Sequence, residues 1–346
     1  VLCLDTSGSM NGLLDSARRR LWAVVNDMAK LEATPTLRVA VYSYGNNAYD
    51  PARGWVRKET DLTTDLDEVH KRLHALTIAS ANSSELVARV TRDAVADLKW
   101  AAEPNALRIV FVCGNEPADQ DTAVTVRDVA AAARAKGVVV NTIYCGPPTS
   151  ADAAGWKEFA AACGGKFASI EQNRAAAEEI ATPFDAEITK LGDKLNGTYL
   201  WYGATGRDGA LKQQAGDLAA LQAAGGAAAD RAATKAGRFY KNAEADLIDR
   251  VLADKSFDLK KLKAEELPEE MRKLKPEDRE AYVKKKATER EEIQKKVTDL
   301  TARRALYVEA ERKRQPTPPA EKALDEALRE ILRDQASPGA KGPKGK

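Results

Sequence analysis

Histidine is scarce in this sequence, with two residues in 346, His70 and His74. Chemistry that needs an imidazole base is confined to one short stretch. No GxSxG elbow presents a serine nucleophile, so the usual serine hydrolase arrangement is excluded. The four cysteines, Cys3, Cys113, Cys145 and Cys163, lack the CxxC spacing of zinc and thiol-redox sites. They lie in or beside apolar runs and read as buried thiols, with a Cys145–Cys163 bridge left open in an oxidising compartment. Phosphate cradles are missing too, since "DTSGSMNG" has neither the GxxxxGK[ST] of a P-loop nor GxGxxG. No apolar run approaches the ~20 residues of a membrane-spanning helix. Surplus charge is also lacking: 54 Lys and Arg against 52 Asp and Glu give a net charge of +2. No global field therefore gathers nucleic acid or membrane.

What is present is an alternation of short apolar β-rich runs and helical periodicity over the first half of the chain. Strands are predicted at 1–5, 37–44, 54–62, 106–113, 137–145 and 166–170. Helices are predicted at 13–31, 65–76, 84–100, 122–136 and 151–162. The run "ALRIVFVC" is as apolar as a central parallel strand should be, and the more polar "GWVRKETDL" suits a sheet edge. The pattern is that of a doubly wound, mostly parallel α/β sheet covered on both faces. It is followed by an α-helical C-terminal region.

That region divides by composition. Residues 174–253 read as an alanine-rich helical connection, low in large apolar residues and broken at Gly225-Gly226. Residues 254–336 are helical and heavily charged. Ile293, Val297, Leu300 and Tyr307 there form one narrow stripe interrupted by Arg304. The stripe predicts a helical hairpin against Ala323, Ala327, Leu328, Ile331 and Leu332. Basic blocks such as "VKKKATER" are offset by "EREEI" and "KPEDRE", so a solvated helix surface is expected rather than a nucleic-acid site. The tail 337–346, "SPGAKGPKGK", is expected to be disordered.

The chemistry concentrates at "DTSGSM". In an open α/β sheet, ligands bind beyond the carboxyl ends of the strands, and Asp5, Ser7 and Ser9 lie at that edge of the first strand. One carboxylate and two hydroxyls brought together by a turn at Gly8 are hard oxygen donors of the kind magnesium prefers. A single serine could instead cap the following helix, but a cap needs only one of the three. An aspartyl-phosphate enzyme could use Asp5 as nucleophile, although Ser7 stands where the second aspartate of DxD would be. His70 and His74 share a helical face, yet with no HExxH and no cysteine ligand nearby they read as a solvated face.

"DTSGSM" resembles the DxSxS metal-ion-dependent adhesion motif (MIDAS) of the von Willebrand factor A domain, and the likeness in strand order, loop placement and motif covers residues 1–173. The resemblance implies that Ser7 and Ser9 coordinate Mg2+, or Mn2+ or Ca2+, and that Asp5 does so directly or through water. Ser84 of "ANSSEL" stands at the position of the family's second-loop threonine. The third loop departs from the family: "FVCGNEP" puts Gly114 in place of the usual aspartate. Loss of a supporting carboxylate typically costs about 10- to 100-fold in metal affinity, so weak binding is expected unless Asn115, Glu116, Asp119 or Asp121 substitutes. The resemblance implies a non-enzymatic, adhesion-type module that binds an acidic residue of a protein partner through the cation. The alternative is a metal-independent scaffold that associates, or self-associates, through its C-terminal helical arm. The stretches "ATPFDAEITKLGDKLNGTYLWYG" and "LPEEMRKLKPEDREAYVKKKATEREEIQKK" are similar to the C-terminal region of a group of bacterial A-domain proteins. That similarity implies bacterial origin and names no ligand. Some of the group carry export signals, and this sequence begins inside a strand without methionine. An upstream piece and a periplasmic or secreted location are therefore expected.

Overall fold

The computed structural model describes residues 1–28, 36–80, 84–170, 180–223, 226–314 and 324–336. The expected tail at 337–346 and the boundary at 173 lie outside them. Two compact units are formed, one from residues 1–178 with 318–346 and one from residues 179–317. Among the described residues no helix is long and apolar enough to cross a membrane.

In chain order the first unit contains β1 (Leu2–Asp5), α1 (Asn11–Met28), β2 (Val39–Tyr44), β3 (Val56–Thr63), α2 (Leu66–Ala75) and α3 (Val87–Asp97). These are followed by β4 (Ile109–Gly114), α4 (Val126–Lys136), β5 (Val139–Tyr144), α5 (Ala151–Ala162) and β6 (Phe167–Ser169). The strands form one sheet in the order β3-β2-β1-β4-β5-β6. Pairing is parallel throughout except for β3, which runs antiparallel to β2. The central strands are nearly continuous apolar runs because helices cover both their faces. β3, with Arg57, Lys58, Glu59 and Asp61, sits at the edge, where charge discourages further strand pairing. Helices α3, α4 and α5 share one core with Cys3, Tyr42, Val112 and Val140 of the sheet. All four cysteines are buried and free, so Cys145 and Cys163 form no bridge. The chain leaves β1 toward β2 on one side and resumes at β4 on the other. The carboxyl end of β1 therefore lies where the strand order reverses, the usual position of a ligand crevice.

Helices α1 and α2 pack together, and here one of the two histidines differs from expectation. His70 is 5% exposed, its ring stacked on Trp22 at 5.0 Å and 4.1 Å from that of His74. Burial lowers the His74 pKa, with the Arg18 charge adding to the effect. His70 belongs to the α1–α2 packing, while His74 is exposed, as a solvated face requires.

The second unit is helical: α6 (Asp185–Asn196), α7 (Gly206–Gln222), α8 (Ala227–Ala236), α9 (Leu247–Ala253) and α10 (Pro276–Arg314). Small side chains let its helices approach closely. A β-carbon at Gly192 of α6 would lie 2.7 Å from that of Ala232 of α8. The stripe read from the sequence is used inside this unit, where Ile293, Val297 and Leu300 join Ile188, Leu191 and Leu195 in one core. Tyr307 meets Phe184 edge-on, and Arg304 pairs with Asp185 and Asp230 at 2.6 and 2.8 Å. Deeper in the unit, Arg290 donates to Asp246 at 2.8 Å, to Asp249 at 3.3 Å and to the Thr198 carbonyl at 3.0 Å. Its guanidinium lies 4.0 Å from the Tyr199 ring centroid.

The final helix, α11 (Leu324–Ala336), is not the second arm of a hairpin with the charged helix. It belongs to the first unit and packs on α1 and β5. Ala327, Leu328, Ile331 and Leu332 are buried, while Ala323 lies outside the described residues. Gln335 and the buried Asn141 of β5 exchange two hydrogen bonds, at 3.0 and 2.7 Å. Arg329 pairs with Asp27 at 2.7 Å, and Lys166 pairs with Asp334. The 254–336 stretch therefore divides between the two units.

Candidate metal centre

Four chain segments meet at the carboxyl edge of the sheet. β1 delivers Asp5 and runs into the turn carrying Ser7 and Ser9. β2 ends at Tyr44 and Gly45, β4 ends at Gly114, and Ser84 and Glu85 immediately precede α3. The first turn is tied down by its backbone. The Thr6 amide and hydroxyl both donate to the Tyr44 carbonyl, at 2.9 and 2.8 Å. The Ala79 amide in turn donates to the Thr6 carbonyl at 2.8 Å.

Asp5 is fully buried. Its Oδ1 accepts from the Ser7 amide at 2.8 Å, while Oδ2 is buried without a hydrogen-bond partner. Ser7 is buried and Ser9 exposed, with their hydroxyl oxygens 3.4 Å apart. Asn115 Nδ2 donates to Ser9 Oγ at 3.1 Å, and its own Oδ1 is buried without a partner. The structure therefore brings together Asp5, Ser7, Ser9 and Asn115. Ser84 is half-buried at the neighbouring loop and forms no hydrogen bond with them.

The remaining third-loop candidates separate by surroundings. Asp121 is engaged elsewhere, gripped by Arg89 through two bonds of 2.8 Å and by the amides of Ala123 and Val124 at 2.9 and 3.1 Å. Asp119 is exposed. Glu116 is half-buried, with its backbone carbonyl taken by the Trp156 indole at 2.8 Å.

One residue was missed by the sequence reading. Glu85 comes from the second loop, and its Oε2 is buried without a hydrogen-bond partner. A β-carbon at Gly45 would lie 2.9 Å from Asp5 Oδ1 and 2.9 Å from Glu85 Cγ. Gly45 has φ +73°, a conformation that glycine adopts without strain. The missing side chain leaves room for two acidic side chains to converge. Burial pushes the Asp5 carboxyl above its ordinary range, and the Glu116 charge pushes in the same direction. Burial also raises Glu85, reinforced by the charge of Asp5 and then that of Glu116. Two carboxyls so placed cannot both ionise cheaply without a cation.

The donors are hard oxygens with at least two orphaned carboxylate atoms, a set that suits Mg2+, Mn2+ or Ca2+. Among the described residues no group of three His, Cys, Asp or Glu side chains is placed to hold a metal ion. Hydroxyls would therefore have to complete the shell.

A family model, von Willebrand factor type A domain, matches residues 1–182. Among solved structures, proximal thread matrix protein 1 from the mussel byssus, with a zinc-occupied MIDAS motif, is 12% identical with a TM-score of 0.37, covering 50% of this chain and 41% of that one. An aerotolerance-related membrane protein from Bacteroides fragilis is 15% identical with a TM-score of 0.35, covering 50% of this chain and 92% of that one. The SpRpn10 VWA domain is 15% identical with a TM-score of 0.36, covering 49% of this chain and 85% of that one. The chain thus spans less than half the length of the mussel protein. A search of curated proteins found no match.

Proposed function

Since the chain belongs to the von Willebrand factor type A domain family, we propose that it is a non-enzymatic protein-binding module whose divalent cation captures an acidic residue of a partner. Asp5, Ser7 and Ser9 hold the cation, with Ser84 beside them. The observation that carries this reading is Asp5 Oδ2, buried at the mouth of the strand-order reversal with no donor to it. An unsatisfied buried polar atom costs about 1–3 kcal/mol, and more when charged. A bound cation would recover that cost. Hydroxyl donors carry no formal charge, so they leave a Mg2+ ion strongly electrophilic, and Mg2+ usually keeps exchangeable waters. A partner's Asp or Glu can replace one of them.

Calorimetric titration of Mg2+ into the full chain, with thermal melting in Mg2+ and in EDTA, tests the reading. A cation at 100 times its Kd adds about 2.7 kcal/mol to the stability of the unit that binds it. Ser7→Ala/Ser9→Ala should abolish both the heat and the stabilisation while leaving the EDTA melt unchanged. Proteins retained by the immobilised chain in Mg2+ should be released by EDTA and missing with the double variant. Retention unaffected by EDTA and by the double variant would favour the metal-independent scaffold instead.

A further inference from the structure

We infer that Glu85 is a direct ligand of the cation, supplying from the second loop the carboxylate that the third loop has lost. The inference rests on the cation-binding reading above and adds to it a residue outside the family pattern. Three observations converge on it. The Asp5 and Glu85 side chains meet over Gly45, where a β-carbon would come within 2.9 Å of each. Each presents one buried carboxylate oxygen without a hydrogen-bond partner, Asp5 Oδ2 and Glu85 Oε2. The place of a third-loop carboxylate is also closed, because a β-carbon at Gly114 would collide with the Tyr44 hydroxyl and lie 3.1 Å from Asp5 Oδ2.

Tyr44 Oη is held there by its hydrogen bond to the Cys113 carbonyl at 2.9 Å. The obstruction therefore belongs to the sheet rather than to a movable loop. Asp121 is committed to Arg89, and Asp119 is exposed. Among the described residues, Glu85 is the one further acid whose oxygen is buried beside Asp5. The nearby Glu116 adds negative charge and no compensation. Two carboxylates balance the charge of one divalent ion, so the site regains the charge count that Gly114 removes. It does so with a side chain one methylene longer, reaching in from a different loop.

The test uses the full chain and Mn2+ alone, with free Mn2+ followed by electron paramagnetic resonance and stability by thermal melting. Glu85→Gln should weaken Mn2+ binding by at least about 10- to 100-fold, the loss typical even of a carboxylate that only supports a ligand. In EDTA the same variant should melt at or above the wild-type temperature, because a neutral amide removes the cost of holding a second carboxyl buried against Asp5. In saturating Mn2+ the order should reverse. Glu85→Ala, which retains no oxygen, should lose at least as much affinity and serves if the glutamine variant folds poorly. Wild-type affinity in both variants, with Asp5→Asn abolishing binding, would overturn the role of Glu85 and leave the cation site standing. Melting of Glu85→Gln below wild type in EDTA, with unchanged Mn2+ affinity, would make Glu85 a structural residue. No Mn2+ binding by the wild type would overturn the site itself.

Discussion

Gly114→Asp restores, on paper, the residue that this family carries in its third loop, and changes toward a family consensus commonly stabilise. Here the reverse is expected. The new β-carbon would overlap the Tyr44 hydroxyl, lie 3.2 Å from Trp156 Cη2 and lie 3.1 Å from Asp5 Oδ2. Tyr44 and Trp156 are both fully buried, so neither can swing into solvent. Moving Tyr44 breaks its bond to the Cys113 carbonyl, a loss of about 1–3 kcal/mol for a buried group left unpaired. Overfilling a packed core costs a further 1–3 kcal/mol, roughly. The expected destabilisation is about 2–6 kcal/mol before the added carboxylate is considered. Urea unfolding followed by tryptophan fluorescence measures it. Gly114→Ala, with the same β-carbon and no charge, should show most of the loss. Tyr44→Phe in that background should recover part of it. Mn2+ affinity should not rise in Gly114→Asp. A variant as stable as the wild type that binds Mn2+ at least ten times more tightly would refute the reasoning, because Tyr44 would then have yielded.

Two further outcomes follow from the packing. Arg290→Met should destabilise the second unit by about 3–5 kcal/mol, the usual result of leaving buried carboxylates without their cation. Trp201, the only tryptophan in 179–317, reports that transition in urea, and a loss below about 1 kcal/mol would show the network to be dispensable. Ile331→Ala, in the buried face of α11, should lower the stability of the first unit by about 2–5 kcal/mol. The Trp201 transition should stay in place, and a shift there with the first unit unchanged would contradict the assignment of α11.

The sheet was readable in the sequence because its evidence is local. Runs such as "VFVC" are buried on both faces, and the charges of 57–61 have no place except at an edge. The first turn was readable for the same reason, since Asp5, Ser7 and Ser9 are neighbours in sequence and converge through a single turn. Glu85 was not. Its proposed role depends on Gly45 making room, on Tyr44 closing the third loop and on Asp5 lying opposite, three residues distant in sequence. Acids for a replacement charge are nearest in sequence along the third loop itself, where Asp121 is held by Arg89. Helix α11 failed differently. Ala327, Leu328, Ile331 and Leu332 correctly announce a helix with one buried face, but periodicity cannot name the surface that buries it. The nearest apolar stripe in sequence was already occupied by α6 and α8. His70 looked polar enough for solvent, and only the position of Trp22 shows otherwise.

Placing α11 in the first unit makes the order of synthesis consequential. About 150 residues separate β6 from α11, and at ordinary elongation rates they take about 10–30 s to emerge from the ribosome. Throughout that interval the nascent sheet and α1 lack their last covering element. The helical insert can complete its own core before the domain that encloses it in sequence is finished. A chaperone that recognises exposed apolar helix faces would find its window there, and a premature stop anywhere in the insert would strand the sheet-bearing half unfinished.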